Sequence, residues 1–166
     1  MVTDTSAMDF RLSDFLSAAD TDDDAIARML AAGKSHPSRT YHFDVPVTIR
    51  RAIPLPSDTT ILVEADIRQA DGTFDCVFRG ANVALDDDLA FLPPVVEPLR
   101  NIRIVGARSA PATNACVTSN VPCADVRVER CAAGNGVLAE LADEAGFSFA
   151  DCTGKVNAYP GYRNLD

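Results

Sequence analysis

The most constraining feature of this chain is a short apolar triplet that recurs along its second half. Each copy has apolar residues at its first and third positions and a variable residue between them. The copies are Ile61-Leu62-Val63, Val83-Ala84-Leu85, Ile102-Arg103-Ile104, Val126-Arg127-Val128 and Phe147-Ser148-Phe149. Their first residues are 22, 19, 24 and 21 positions apart. A near-constant step of this length is typical of solenoids in which each repeat adds one strand to a shared sheet.

Two further patterns favour a parallel solenoid over other strand-rich folds. The segments VRVERC and FSFADC match beyond the triplet, which places Cys131 and Cys152 at equivalent positions. Apolar runs at 74–78 and 137–141 lie between the triplets and predict a second wall. A leucine-rich repeat signature is absent, and the connections are too long and regular for the tight hairpins of a sandwich. We therefore predict an all-β solenoid, a short parallel β-helix.

Composition and charge limit the partners. The 166 residues correspond to one domain, and 47% of them are hydrophobic, which is enough for a core. The net charge of −9 disfavours nucleic acid and anionic membranes, because the mean field repels phosphate. No apolar run approaches the roughly 18 residues that span a bilayer. The first ten residues lack the basic and apolar regions of a signal peptide, so none is expected, and the compartment stays open.

A short amphipathic helix is predicted near the start. In TDDDAIARMLAAG, apolar residues recur with helical spacing after an acidic start and before Gly33. The run Asp22 to Asp24 fits a helix start better than a cation site. The predicted plan is a polar leader at 1–11, a cap and first strands at 12–60 with the helix at about 22–32, and about five coils at 61–154. The tail at 155–166 shows no recognisable cap, so we expect the last coil to meet a second copy, a further chain or more sequence.

The N-terminal half carries segments typical of one family. They are LSDF at 12–15, TDDDAI at 21–26, TYHF at 40–43, VTI at 47–49 and IPLPSDTTI at 53–61, followed by IRQADG and NIRIVG. In these segments the chain resembles the pectate lyase superfamily, whose members are right-handed single-stranded parallel β-helices with an N-terminal capping helix. The resemblance covers residues 12–106. Departures are the missing glycines after Phe15 and the absence of the Asn-Thr-Asp, Gly-His-Gly and Arg-Ile-Lys motifs of the polygalacturonase-like members.

The middle residues of the triplets form a candidate binding surface, because they point to solvent when their neighbours point inward. They are Leu62, Ala84, Arg103, Arg127 and Ser148. Arg103 and Arg127 are expected on adjacent strands about 4.8 Å apart, where two guanidiniums can hold the carboxylates of a uronate chain. The alternative is that both arginines are solvated and paired with Glu129 or Asp125.

The resemblance also implies a lyase chemistry. In the lyase members an arginine is the proposed base, and aspartates hold Ca²⁺, which acidifies the proton beside the uronate carboxylate. Arg103 and Arg127 are then the candidates for the base. Asp86, Asp87 and Asp88 supply hard oxygen ligands suited to Ca²⁺. The alternative for this aspartate triplet is a simple turn.

The cysteines and histidines are expected to be structural. The five cysteines are Cys76, Cys116, Cys123, Cys131 and Cys152, and they include no CxxC pair. Neither a four-cysteine zinc site nor a redox dithiol is therefore expected. Cys131 and Cys152 are predicted to form a ladder of small core groups, with a disulfide as the alternative. Cys116 and Cys123 lie in an irregular stretch expected to line the groove. His36 and His42 are expected to be packing or surface residues.

Three functional hypotheses remain open. The first is a carbohydrate-directed module, tailspike-like or adhesin-like or the front of a polysaccharide-degrading protein, that binds a glycan through Arg103, Arg127 and Ser148. The second is a polysaccharide lyase that cleaves uronate polymers by Ca²⁺-assisted β-elimination. The third is an assembly piece without sugar activity whose open end stacks on a partner. A fold by itself does not choose among them.

Overall fold

The computed structural model describes residues 7–73, 76–80, 99–109, 116–119, 123–141 and 145–158. Within them lie one α-helix, α1 (Asp22–Gly33), a 3-10 turn (Leu12–Asp14) and a series of short strands. The strands are β1 (Met8–Arg11), β2 (Arg39–Phe43), β3 (Val47–Ile49), β4 (Ile53–Leu55), β5 (Thr59–Val63), β6 (Ile67–Gln69), β7 (Phe78–Gly80), β8 (Leu99–Val105), β9 (Arg108–Ser109), β10 (Val117–Ser119), β11 (Cys123–Glu129), β12 (Ala132–Leu141), β13 (Phe147–Ala150) and β14 (Thr153–Ala158).

The strands form two sheets, and every strand pair among the described residues is parallel. Sheet 1 has the order β1-β2-β5-β8-β11-β13, and sheet 2 has the order β3-β6-β9-β12-β10-β7-β4, with β14 also paired to β12. The chain makes three similar rounds, β2–β3–β4, β5–β6–β7 and β8–β9–β10, each with one strand in sheet 1 and two in sheet 2. The predicted all-β class with parallel pairing is confirmed.

The register of β5 differs from the prediction. The triplet spacing aligned Ile61 with Ile102 and placed a strand at 83–85 between them. In the structure β5 pairs directly with β8, and Ile61 lies beside Ile104. Residues 83–85 lie outside the described residues. An apolar alternation fits equally well after a shift of two residues, so the triplets alone do not fix the register.

Corner residues with left-handed backbone recur at corresponding positions of successive strands. At the beginning of successive sheet 1 strands they are Asp58, Asn101 and Asp125, with φ of 57°, 55° and 58°. At the ends they are Gly106, Arg130 and Asp151, with φ of 80°, 52° and 53°. The corners are bonded to each other: the Asp58 N–H donates to the Arg100 carbonyl at 3.0 Å, and the Asn101 side-chain amide donates to the Asp58 carboxylate at 3.1 Å. Asp and Asn adopt this conformation more readily than other non-glycine residues.

Helix α1 begins and ends close to the predicted positions. Thr21 and Asp24 form a reciprocal capping box, and α1 buries Ala25, Ile26 and Met29. The other two aspartates, Asp22 and Asp23, bond to the backbone in and just after β3. Asp22 accepts the backbone N–H of Thr48 at 2.8 Å, and Asp23 accepts that of Arg50 at 3.1 Å. The aspartate run therefore starts the helix and also caps the open edge of β3.

Both predicted terminal segments contain strand. Met8–Arg11 lie in the predicted leader but form β1, which pairs with β2 from Met8 beside Arg39 onwards. The predicted tail starts inside β14, which pairs with β12; residues 159–166 lie outside the described residues. Among the described residues, no helix is long and apolar enough to cross a membrane.

Candidate functional site

A row of outward-facing residues crosses sheet 1 from strand to strand. Its members in register are Asp9, Thr40, Thr60, Arg103, Arg127 and Ser148. We call Thr60, Arg103, Arg127 and Ser148 the arginine row. The expected neighbours Arg103, Arg127 and Ser148 come together. The expected member Leu62 lies in the next row beside Val105, and Ala84 lies outside the described residues.

Each arginine of the row is paired with one carboxylate through its Nε atom. Arg103 Nε lies 2.6 Å from Glu129 Oε2, and Arg127 Nε lies 2.9 Å from Asp125 Oδ1. The alternative prediction, in which both arginines are paired with Glu129 or Asp125, is therefore confirmed for these two ion pairs. In the described part of the chain, the terminal nitrogens of both guanidiniums make no ion pair or hydrogen bond. The two side chains are 48% and 60% exposed, so these nitrogens can meet an incoming ligand.

These two ion pairs contribute little to folding stability, and a ligand can displace them at small cost. Ion pairs between exposed groups contribute only about 0.2–1 kcal/mol, so little is lost if a ligand shifts them. A carboxylate at Nε also orients the planar guanidinium, which leaves its terminal edge as a two-pronged donor. A guanidinium keeps its proton in proteins. The row can therefore bind anions, and its local charge is balanced by Glu129 and Asp125.

The predicted calcium site cannot be placed in this structure. Asp86, Asp87 and Asp88 lie outside the described residues. Within the described ranges, no group of three or more His, Cys, Asp or Glu side chains could hold a metal ion. The calcium ligands and the role of Arg103 or Arg127 as a base stay predictions.

One of the two histidines contacts two carboxylates, which the sequence did not reveal. His36 packs on Phe10, with ring centroids 5.5 Å apart, as expected for a packing residue. His42 instead bonds two carboxylates: Nδ1 lies 2.9 Å from Glu64 and Nε2 lies 2.8 Å from Asp9. Burial disfavours the charged ring, but the hydrogen bonds to Glu64 and Asp9 outweigh it and raise the pKa of His42. Both nitrogens are occupied, so the ring stabilises structure and is not placed as a catalytic base.

The cysteines are free thiols, and the stacked pair forms a ladder. Cys131 donates to the Glu129 carbonyl and Cys152 to the Ala150 carbonyl, each at 3.3 Å. The two segments that match in sequence therefore also share this local contact. The hydrogen bond with Cys131, together with burial, raises the pKa of Cys116 well above its ordinary value. Cys116 therefore stays a neutral thiol in the core.

Part of the irregular stretch that contains Cys116 and Cys123, which was expected to line the groove, is buried or forms a strand instead. Cys116 is fully buried directly before β10, and Cys123 is the first residue of β11. Neither cysteine lines the outer face of sheet 1. Residues 110–115 and 120–122 lie outside the described residues, so a specificity role for them stays a prediction.

Comparison of the chain with protein-family models, with curated proteins and with solved structures finds no match.

Proposed function

We propose that the chain is a short right-handed parallel β-helix with an N-terminal helical cap, of the kind found in the pectate lyase superfamily. Three features support this proposal. Successive rounds of the chain return to sheet 1, all pairs are parallel, and left-handed corners recur on both sides of sheet 1. Parallel crossover connections are right-handed in nearly all proteins, which supports a right-handed solenoid.

The function proposed for this β-helix is binding of an acidic, uronate-containing polysaccharide along the arginine row. The observation that carries the proposal is the direct register of Arg103 with Arg127, whose terminal nitrogens make no ion pair or hydrogen bond with the described residues. Neighbouring strands are about 4.8 Å apart. Two guanidiniums at that separation can each take one carboxylate of an extended polyanion, and the hydroxyls of Thr60 and Ser148 extend the row with neutral donors and acceptors.

The overall charge makes this binding local and salt-sensitive. A net charge of −9 repels a polyanion at long range, so attraction depends on the two guanidiniums at short range. The neighbouring Glu129 and Asp125 limit the affinity. We therefore expect weak binding to a single uronate and stronger binding to a chain that engages both arginines, because linked contacts add through effective concentration.

The test compares polygalacturonate with a neutral galactan by affinity electrophoresis and calorimetry. Arg103→Gln and Arg127→Gln are each expected to weaken polygalacturonate binding about tenfold, since each removes one charge-assisted contact. Arg68→Gln is the matched control, because Arg68 is exposed on β6 in sheet 2, away from the row. Equal binding of the neutral glycan, or equal affinity of all three variants, contradicts the proposal.

The same samples test the lyase alternative. Polygalacturonate is incubated with and without Ca²⁺, and the ultraviolet absorbance of unsaturated uronate products is followed. For a binding module, absorbance stays flat in both conditions while electrophoretic retardation persists. A Ca²⁺-dependent rise that Arg103→Gln or Arg127→Gln abolishes would replace the binding proposal with the lyase.

A further inference from the structure

The last described strand of sheet 1, β13, has one open edge. It pairs with β11 on one side and with no described strand on the other. The Gly146 carbonyl accepts the Val126 N–H at 2.8 Å, so alternate residues from Gly146 onwards direct their backbone groups toward β11. Phe147 and Phe149 lie between those residues, so their N–H and C=O groups point to the open edge. A further strand can bond to these groups.

The side chains of the same two phenylalanines are also incompletely covered. Phe147 and Phe149 lie in register with Val126 and Val128 of β11 and pack against the core. Both valines are buried, whereas both phenylalanines are partly exposed, with ring centroids 6.1 Å apart. Covering these rings with apolar surface is favourable. The open edge therefore offers a partner both backbone groups and apolar area.

Charge and sequence symmetry favour a second copy of this chain as that partner. Each copy carries a net charge of −9, so two copies repel each other over most of their surface. The described residues of the last coil, 145–158, contain one anion, Asp151, and one cation, Lys155, and are neutral overall. The edge sequence, FSF at 147–149, reads the same in both directions. Antiparallel pairing of two copies about Ser148 therefore places each phenylalanine opposite a phenylalanine.

We infer that two copies of the chain form a two-fold dimer in which β13 pairs antiparallel with β13 of the second copy. The two-fold axis passes between the two Ser148 residues, perpendicular to sheet 1. Phe147 of each copy exchanges its edge hydrogen bonds with Phe149 of the other copy. Self-complementary two-fold contacts of this kind are the commonest in soluble oligomers.

The dimer joins the arginine rows of the two copies, a consequence that rests on the proposed function. Each row runs Thr60, Arg103, Arg127, Ser148, and Ser148 lies beside the axis. The row therefore continues into the second copy in reverse order, on the same face of one continuous sheet. A long polyuronate can contact the arginines of both copies, and linked contacts strengthen its binding through effective concentration.

Sedimentation velocity from about 1 μM to about 1 mM chain tests the dimer, because this range covers weak and moderate interfaces. The sedimentation coefficient of the parent is expected to rise from the monomer to the dimer value. Ser148 is exposed, so Ser148→Lys should leave the circular dichroism unchanged. It places like charges opposite each other at the axis and should weaken dimerisation at least tenfold. Thr60→Lys is the matched control, since it adds the same charge to the same row on β5, away from the axis.

A cysteine at the axis gives a positive test of the register. The Cα atoms at position 148 of the two copies are expected to lie about 4.5 Å apart, which a disulfide can span. With oxidised glutathione, the two thiols of Ser148→Cys are oxidised to an interchain disulfide, and glutathione disulfide is reduced to two thiols. Ser148→Cys should run as a covalent dimer on a non-reducing gel. Thr60→Cys, which has the same native cysteines, should run as a monomer.

The inference is wrong if the parent stays monomeric over the whole range, if Ser148→Lys dimerises as well as Thr60→Lys, or if Ser148→Cys crosslinks no more than Thr60→Cys. Long and short polygalacturonate fragments test the joined row separately. The parent should bind the long fragment at least tenfold more tightly, and Ser148→Lys should lose most of this preference. An equal preference in Ser148→Lys overturns the joined row. A dimer that binds neither fragment overturns the proposed function and the joined row, while the dimer itself is upheld.

Discussion

Protonated His42 holds the first strand of sheet 1 in place, and raising the pH is expected to loosen it. His42 on β2 bonds Asp9 of β1 through one ring nitrogen and Glu64 after β5 through the other. Only the imidazolium can donate both hydrogen bonds, because a neutral imidazole has a single N–H. Loss of the proton therefore removes one bond and weakens the other. Arg11 opposes the charge on the ring, but the two carboxylates outweigh it.

The direction and size of the effect follow from the raised pKa of His42. A folded-state pKa above the unfolded value of about 6.5 gives stability that is complete below about pH 6.5 and is lost as the pH rises through the folded pKa. The ring is largely buried, with its side chain 11% exposed, whereas the carboxylates are 66% and 47% exposed. Exposed pairs are worth about 0.2–1 kcal/mol each. Two such bonds together contribute about 0.4–2 kcal/mol.

Urea unfolding of the parent and of His42→Gln at about pH 5.5 and 8.5 measures this contribution, across the range in which histidines titrate. The free energy of unfolding of the parent should exceed that of the variant by about 0.4–2 kcal/mol at the lower pH, and the difference should shrink at the higher pH. His36→Gln is the control for removal of a histidine ring, since His36 packs on Phe10. The protection factors of the β1 amides, which correct for the intrinsic rise of exchange rate with pH, should fall at the higher pH. A His42 difference that stays constant or grows with pH refutes the reasoning.

Three substitutions test the local geometry, each by thermal unfolding. Arg130 has a φ of 52°, so Arg130→Gly should stabilise the fold by about 0.5–1 kcal/mol, and a lower melting temperature would show that its side chain matters more than its backbone. A Cβ on Gly146 would overlap the Cys123 carbonyl oxygen, so Gly146→Ala should cost about 1–3 kcal/mol, and a neutral result would mean that the two segments separate easily. Tyr41 donates to the Leu30 carbonyl at 3.0 Å, so Tyr41→Phe should cost about 0.5–1.5 kcal/mol, and no loss would place the end of α1 elsewhere.

The strand-rich architecture was predictable because it follows from local pattern. The triplets around Arg103, Arg127 and Ser148 each form a strand, and their mutual register agrees with the prediction from the step between repeats. Helix α1 was predictable from one acidic run and one apolar face. These signals are contained in neighbouring residues, and each has one physical cause: burial of an alternating or helical face.

Contacts between distant segments were not predictable. His42 and its partners Asp9 and Glu64 are 33 and 22 residues apart, and nothing in an isolated histidine shows what stacks beside it. Arg39 occupies an inward-facing row of sheet 1, where an apolar residue is expected. Its guanidinium donates to the backbone carbonyls of His36 and Ser57, both at 2.7 Å. Arg39 is tolerated in this inward-facing row because its guanidinium supplies hydrogen bonds to backbone carbonyls after the end of α1 and at the corner before β5.

The same long-range contacts determine where a further strand can add. At the cap, the β3 edge is closed because Asp22 and Asp23 accept the backbone N–H groups of Thr48 and Arg50. The β4 edge carries Pro54, which has no N–H to offer a neighbour. At the other end of the described strands, β13 pairs only with β11, and its own Phe147 and Phe149 are partly exposed. Among the described strands, blocked edges are seen at β3 and β4, so in the assembly hypothesis we expect a partner strand to add at β13.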